Sequence, residues 1–181
     1  MGRAQAAIRR LEGEPCQWCF PGEGDLTTLS IRFGEKIGER RSLHSDAAVP
    51  NFRFAISVDT AWRVENSDGV LCTSDDEKPR GGEVRGVLKA LEGNSVATAR
   101  IHPIAGDIAI TFKSGQVIRA FCCVGEGDHS YTWDYWFSDR KPGQEVHFSI
   151  GPRGTVNFNW PGPGVGSAGR DEDEGRPSTA S

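Results

Sequence analysis

The tripeptide Leu-Glu-Gly occurs twice at a spacing of 80 residues, at the end of AIRRLEG (7–13) and of VLKALEG (87–93), and the pattern downstream of it recurs as well. Both segments read as the last turns of a short amphipathic helix, with Gly13 or Gly93 supplying the left-handed residue that stops it. The second helix is expected to start near Gly81-Gly82-Glu83. A Gly-Asp pair comes next in each copy (Gly24-Asp25 and Gly106-Asp107), then an alternating apolar run. That run is Leu29, Ile31, Phe33 in the first copy and Ile108, Ile110, Phe112 in the second, the period of a half-buried strand. A glycine turn (Gly34; Gly115) and a further apolar segment (Ile37; Ile118) complete the match. An internal period of this length implies two copies of one structural unit.

The copies then diverge. The first carries about 15 extra residues, GERRSLHSDAAVPN, read as a surface loop over about 38–51 because it is polar and turn-rich. Pairing resumes with Phe52, Phe54, Ile56 and Val58, followed by Trp62 and a turn at Asp68-Gly69. Either Trp136 or Trp133 is the counterpart of Trp62 in the second copy. Tyr131, Trp133, Tyr135 and Phe137 alternate along one face there. Val146, Phe148, Ile150 and Val156, Phe158, Trp160 form a closing hairpin around Gly151-Pro-Arg-Gly154.

The expected fold class is α+β, dominated by β structure. Two tandem helix-plus-antiparallel-meander repeats, 1–80 and 81–160, pack together with eight to ten strands in all. From Pro161 the sequence PGPGVGSAGRDEDEGRPSTAS holds one large apolar residue, Val165, so 161–181 is expected to be a disordered acidic Gly/Pro tail.

Composition bears on partners. The formal net charge is −4 across 181 residues, with no basic stripe, which argues against nucleic acid. No run approaches a membrane span and no signal-peptide apolar region is seen at the N-terminus, so a cytoplasmic location off the membrane is expected. The five cysteines then read as reduced thiols.

Few residues suggest chemistry. Cys16-Gln-Trp-Cys19 is half of a zinc or redox signature, but no second CxxC or CxxH completes it, so two half-buried thiols are the plainer reading. Asp128, His129 and Asp134 form the densest ionisable group and would be the acid–base set if the protein were a small cyclase or hydrolase. On the plainer reading they decorate a loop. There is no nucleophile elbow, no phosphate-binding loop, and no cofactor is implied. The aromatic set Tyr131, Trp133, Tyr135, Trp136 and Trp62 either fills the core and the seam between copies or offers a binding face for a protein or, less fittingly, a carbohydrate.

The succession over 91–160 of Leu-Glu-Gly, Gly-Asp-Ile-x-Ile-x-Phe, a Trp strand and a Gly turn resembles small uncharacterised bacterial β-rich domains of the immunity-protein type. The resemblance implies a non-enzymatic module that binds a protein partner, immunity-like or regulatory. It carries over no functional residue.

Overall fold

The structure is a computed structural model that describes residues 1–22, 28–41, 48–76, 81–122, 132–138, 145–150 and 155–159. Helix α1 (Gly2–Ile8) runs into a 3-10 turn at Arg9–Leu11. Strands β1 (Cys16–Pro21), β2 (Thr28–Arg41), β3 (Ala48–Asp59), β4 (Trp62–Asn66) and β5 (Gly69–Thr73) come after it. Helix α2 (Gly81–Lys89) then leads into β6 (Val96–Ile101), β7 (Ile108–Phe112), β8 (Val117–Ala120), β9 (Thr132–Ser138), β10 (Glu145–Ile150) and β11 (Val156–Asn159). The protein is β-dominated, as its alternating apolar runs predict.

Both helical segments bury one stripe: Ala4, Ile8 and Leu11 in the first, Val84, Leu88 and Leu91 in the second. Gly13 (φ 90°) and Gly93 (φ 82°) end them in the left-handed region, as expected from sequence.

The strands form two antiparallel sheets. One is six-stranded, in the order β1-β2-β3-β9-β10-β11, and the other five-stranded, in the order β5-β4-β8-β7-β6. The strands of the two expected meanders are therefore mixed within each sheet. After β3 the chain leaves its own sheet, and β4 pairs with β8, Trp62 opposite Ala120. After β8 the chain crosses back, and β9 pairs with β3, Trp133 opposite Val58. Alternation in a sequence tells which face of a strand is buried and says nothing of its neighbour. Each sheet thus takes strands from both sides of residue 80.

The two halves meet through reciprocal backbone bonds. Gly13 N donates to Val96 O at 2.8 Å and Gly93 N to Cys16 O at 2.7 Å. Cys16 N donates to Asn94 O and Val96 N to Glu14 O, each at 2.9 Å. The isolated antiparallel bridge between Pro15 and Ser95 lies at the centre of this set. The inner faces of both sheets and the two helical stripes share one core that runs from Ala4 to Ile150.

Two loop expectations change. The segment 38–51 is largely paired strand: Gly38 faces Asn51, Glu39 faces Pro50, Arg40 faces Val49 and Arg41 faces Ala48, leaving only 42–47 outside the described residues. Polar residues suit a hairpin that projects past the core, so polarity alone did not mark a loop. Gly34 (φ 77°) is not a turn but lies inside β2, next to a register shift between Phe33 and Lys36. The backbone angle there favours glycine, and a Cβ would also crowd the Phe54 ring at 3.3 Å. Gly115 (φ 88°) does sit in a tight turn, joining β7 to β8. The cross-strand partner of Ile110 is Ile118 and that of Ile31 is Ile56, so Ile118 and Ile37 hold different places in their ladders. The expected tail, 161–181, lies outside the described residues.

Candidate site between α2 and edge strand β1

Strand β1 reads CQWCFP and carries a register shift between Cys16 and Trp18. The extra residue resets the alternation, so Cys16, Cys19 and Pro21 turn inward. Trp18 is left outward at 39% exposure, with Phe20 half-buried on the same side. Their rings stack at 5.5 Å between centroids and 9° between planes.

Helix α2 lies along this edge. Val84 and Leu88 anchor it, which leaves Arg85, Gly86 and Lys89 to border a cleft of about 410 Å³ completed by Trp18, Cys19, Phe20 and Glu92. The Arg85 guanidinium stands 5.0 Å from the centre of the Phe20 ring, and that of Arg32 stands 6.0 Å from the Trp18 ring. Lys89 Nζ pairs with Glu92 Oε2 at 2.5 Å. The cleft therefore has an aromatic wall and a guanidinium at its rim, next to one internally neutralised ion pair.

The corresponding edge on the other side of the molecule is closed. There α1 lies along β6, and the Gln5 carboxamide grips the strand: Nε2 donates to Ala99 O at 3.0 Å and Oε1 accepts from Ile101 N at 2.8 Å. Glu12 Oε1 accepts from Ala99 N at 3.4 Å. Edge strands need such cover.

Beneath the cleft three thiols, those of Cys16, Cys19 and Cys72, are buried and free. Burial pushes the Cys19 thiol well above its ordinary value, and a hydrogen bond with Cys16 pushes the same way. Burial likewise pushes Cys72 up to about 11, helped by the nearby Asp76 carboxylate. Metal ligation and redox attack both need the thiolate, and this environment keeps the Cys19 and Cys72 thiols protonated. Among the described residues no group of three or more His, Cys, Asp or Glu side chains is placed to hold a metal ion. Opposite β2, Cys16 faces Phe33 and Cys19 faces Ile31, the places that Val96 (facing Phe112) and Ala99 (facing Ile110) hold in the β6–β7 pair. Both cysteines thus occupy apolar core positions.

The aromatic candidates sit mostly elsewhere. Trp62 and Trp133 are fully buried, and so is Tyr135, so these three rings belong to the core and not to an exposed platform. Trp133 Nε1 donates to Gly106 O at 2.8 Å and Tyr135 Oη donates to Ala7 O at 3.0 Å, which satisfies both polar ends. Phe148 packs against both, 6.0 Å from Trp133 and 4.9 Å from Tyr135 between ring centroids. Trp136 is paired through its backbone with Ala55 and His147, and Asp134 with Ser57 and Ser149; their side chains lie outside the description. Tyr131, Asp128 and His129 fall outside the described residues.

Sequence reasoning passed over Trp18. It sits inside the CQWC motif, where the cysteines drew the reading, and only the bulge turns it outward. Arg85, Gly86 and Phe20 carried no motif at all. Among the described residues no helix is long and apolar enough to cross a membrane. Comparison with known proteins adds nothing to the geometry: no family model, no curated protein and no solved structure matches this chain.

Proposed function

We propose that the protein is a non-enzymatic binding module, immunity-like or regulatory, that engages a protein partner through the face formed by β1 and α2. The observation that carries this reading is the stacked Trp18–Phe20 pair, open to solvent at the mouth of a cleft and bordered by Arg85. Trp and Arg are the side chains that most often dominate binding energy at protein interfaces. A half-exposed Trp on an edge strand also costs solubility unless something covers it.

A tandem duplication with exchanged strands accounts for the scaffold. It is supported by the reciprocal bonds of Gly13 and Gly93 and by the matching environments of Trp62, paired to β8, and Trp133, paired to β3. On this reading one copy closed its edge and the other became the contact face.

The test is affinity purification of the tagged full chain from its native host beside Trp18→Ala and Arg85→Glu. A partner should co-purify in 1:1 ratio with the parent chain, be at least ten-fold depleted with either variant, and protect β1 and α2 from hydrogen exchange. Ile104→Ala, at an exposed position far along the chain, serves as the control and should change nothing. Equal recovery with all chains would sink the proposal.

A further inference from the structure

The molecule contains its own clue to what the cleft accepts. On the closed side a carboxamide, that of Gln5, lies between helix and edge strand and bonds the strand's backbone at Ala99 and Ile101. In the α2–β1 arrangement the position 80 residues after Gln5 is Arg85, and the residues 80 before Ala99 and Ile101 are Cys19 and Pro21. Arg85 does not reproduce the grip of Gln5, because its guanidinium lies over Phe20. Pro21 has no N–H, so the acceptor half of the carboxamide has lost its donor, while the Cys19 carbonyl keeps the place of Ala99 O. Gly86, on the next helical position, has nothing within 4 Å of where a Cβ would stand.

We infer that the cleft receives a carboxamide side chain, a glutamine that the partner presents beside an acidic residue. The inference rests on the binding-module reading and names the chemistry of that same site. The carboxamide N–H donates to the Cys19 carbonyl, its flat face lies along the Trp18–Phe20 wall, and the adjacent carboxylate meets Arg85 as a charge-assisted pair. A lysine or arginine would also donate to the carbonyl, but Arg85 at the rim repels it. An aliphatic side chain would fill the space but bring no donor to the carbonyl.

The experiment uses the isotope-labelled full chain and two blocked dipeptides, acetyl-Gln-Glu-amide and acetyl-Leu-Glu-amide. Each is titrated to about 50 mM, because one hydrogen bond and one ion pair give millimolar affinity at best. Acetyl-Gln-Glu-amide should shift the backbone amide signals of Cys19, Arg85 and Gly86 saturably, at least about five-fold more tightly than the Leu peptide, the worth of one hydrogen bond. Gly86→Leu, whose side chain enters open space, should abolish the shifts with the spectrum otherwise intact. Arg85→Gln should do the same by restoring the in-chain carboxamide. Equal affinity for the two peptides, no saturable shift, or shifts that persist in both variants would overturn the inference. If the dipeptide fails while Trp18→Ala still loses the protein partner, the carboxamide chemistry falls and the binding-module reading stands.

Discussion

Along strand β6 the Gln5 carboxamide of α1, with Glu12 just beyond the helical turn, bonds the strand backbone, whereas along β1 helix α2 borders a cleft with Arg85 at its rim. The buried stripes that seat the two helices differ little, Ala4, Ile8 and Leu11 against Val84, Leu88 and Leu91. The difference lies in three or four residues at the rim. A helix is held by its apolar stripe, so its solvent-side residues are free to change without loss of the fold. The contrast teaches that the scaffold and the candidate site rest on separate sets of residues, and that the site is where the two sides part.

The strongest way to break the equivalence of the two sides is to remove their central rings. Trp62→Ala and Trp133→Ala should each cost about 3–5 kcal/mol, the usual range for a fully buried Trp. Urea unfolding of the two variants should give values within about 1 kcal/mol of each other if the environments are alike. A gap of more than about 2 kcal/mol would mean that the two rings sit in different environments.

The thiols sharpen the comparison, because Cys16, Cys19 and Cys72 all cluster under the open side. Cys72 is held at about 11 against an ordinary 9.0, so the folded chain keeps a proton that the unfolded chain releases. The unfolded state then binds fewer protons between pH 9 and 11, and stability falls as pH rises through that window. The expected loss from Cys72 is about 2–3 kcal/mol by the upper end, and Cys19 adds to it in the same direction. Unfolding midpoints that stay flat from pH 9 to 11 would contradict the burial of these groups. Replacing Cys16 by Val and Cys19 by Ala, the residues of β6, should reduce the alkaline loss and leave neutral stability within about 1 kcal/mol.

The smallest effect is the most discriminating between the rims. Gln5→Ala removes two bonds to a strand edge and should cost about 1–2 kcal/mol. Arg85→Ala should stay within about 0.5 kcal/mol in stability while weakening partner recovery. If Arg85→Ala destabilised as much as Gln5→Ala, the guanidinium would be a strut and the cleft a packing defect.

Much of the framework was legible in the residues. The helix ends were marked by Gly13 and Gly93, and the strand faces by Leu29, Ile31, Phe33 and Ile108, Ile110, Phe112, because left-handed caps and period-two burial are local properties. The crossing of the chain between the sheets was not, since Trp62 and Trp133 look the same whichever sheet receives them. Gly34 misled because a glycine with positive φ serves a bulge as well as a turn. The site was the least legible part: Trp18 would point inward with Cys16 were it not for one unpaired residue, and nothing in Arg85 or Gly86 distinguishes them from ordinary helix surface.

The crossed strands also bear on how the chain is made. β3 ends at Asp59, but its neighbour β9 begins only at Thr132. A ribosome adding about 5–20 residues per second leaves that long strand with one bare flank for roughly 4–15 seconds, while β4 waits for β8. Neither half closes its hydrogen bonds alone, so the nascent chain depends on delayed pairing, and faster translation or a pause before β8 should change the yield of native protein more than most surface substitutions do.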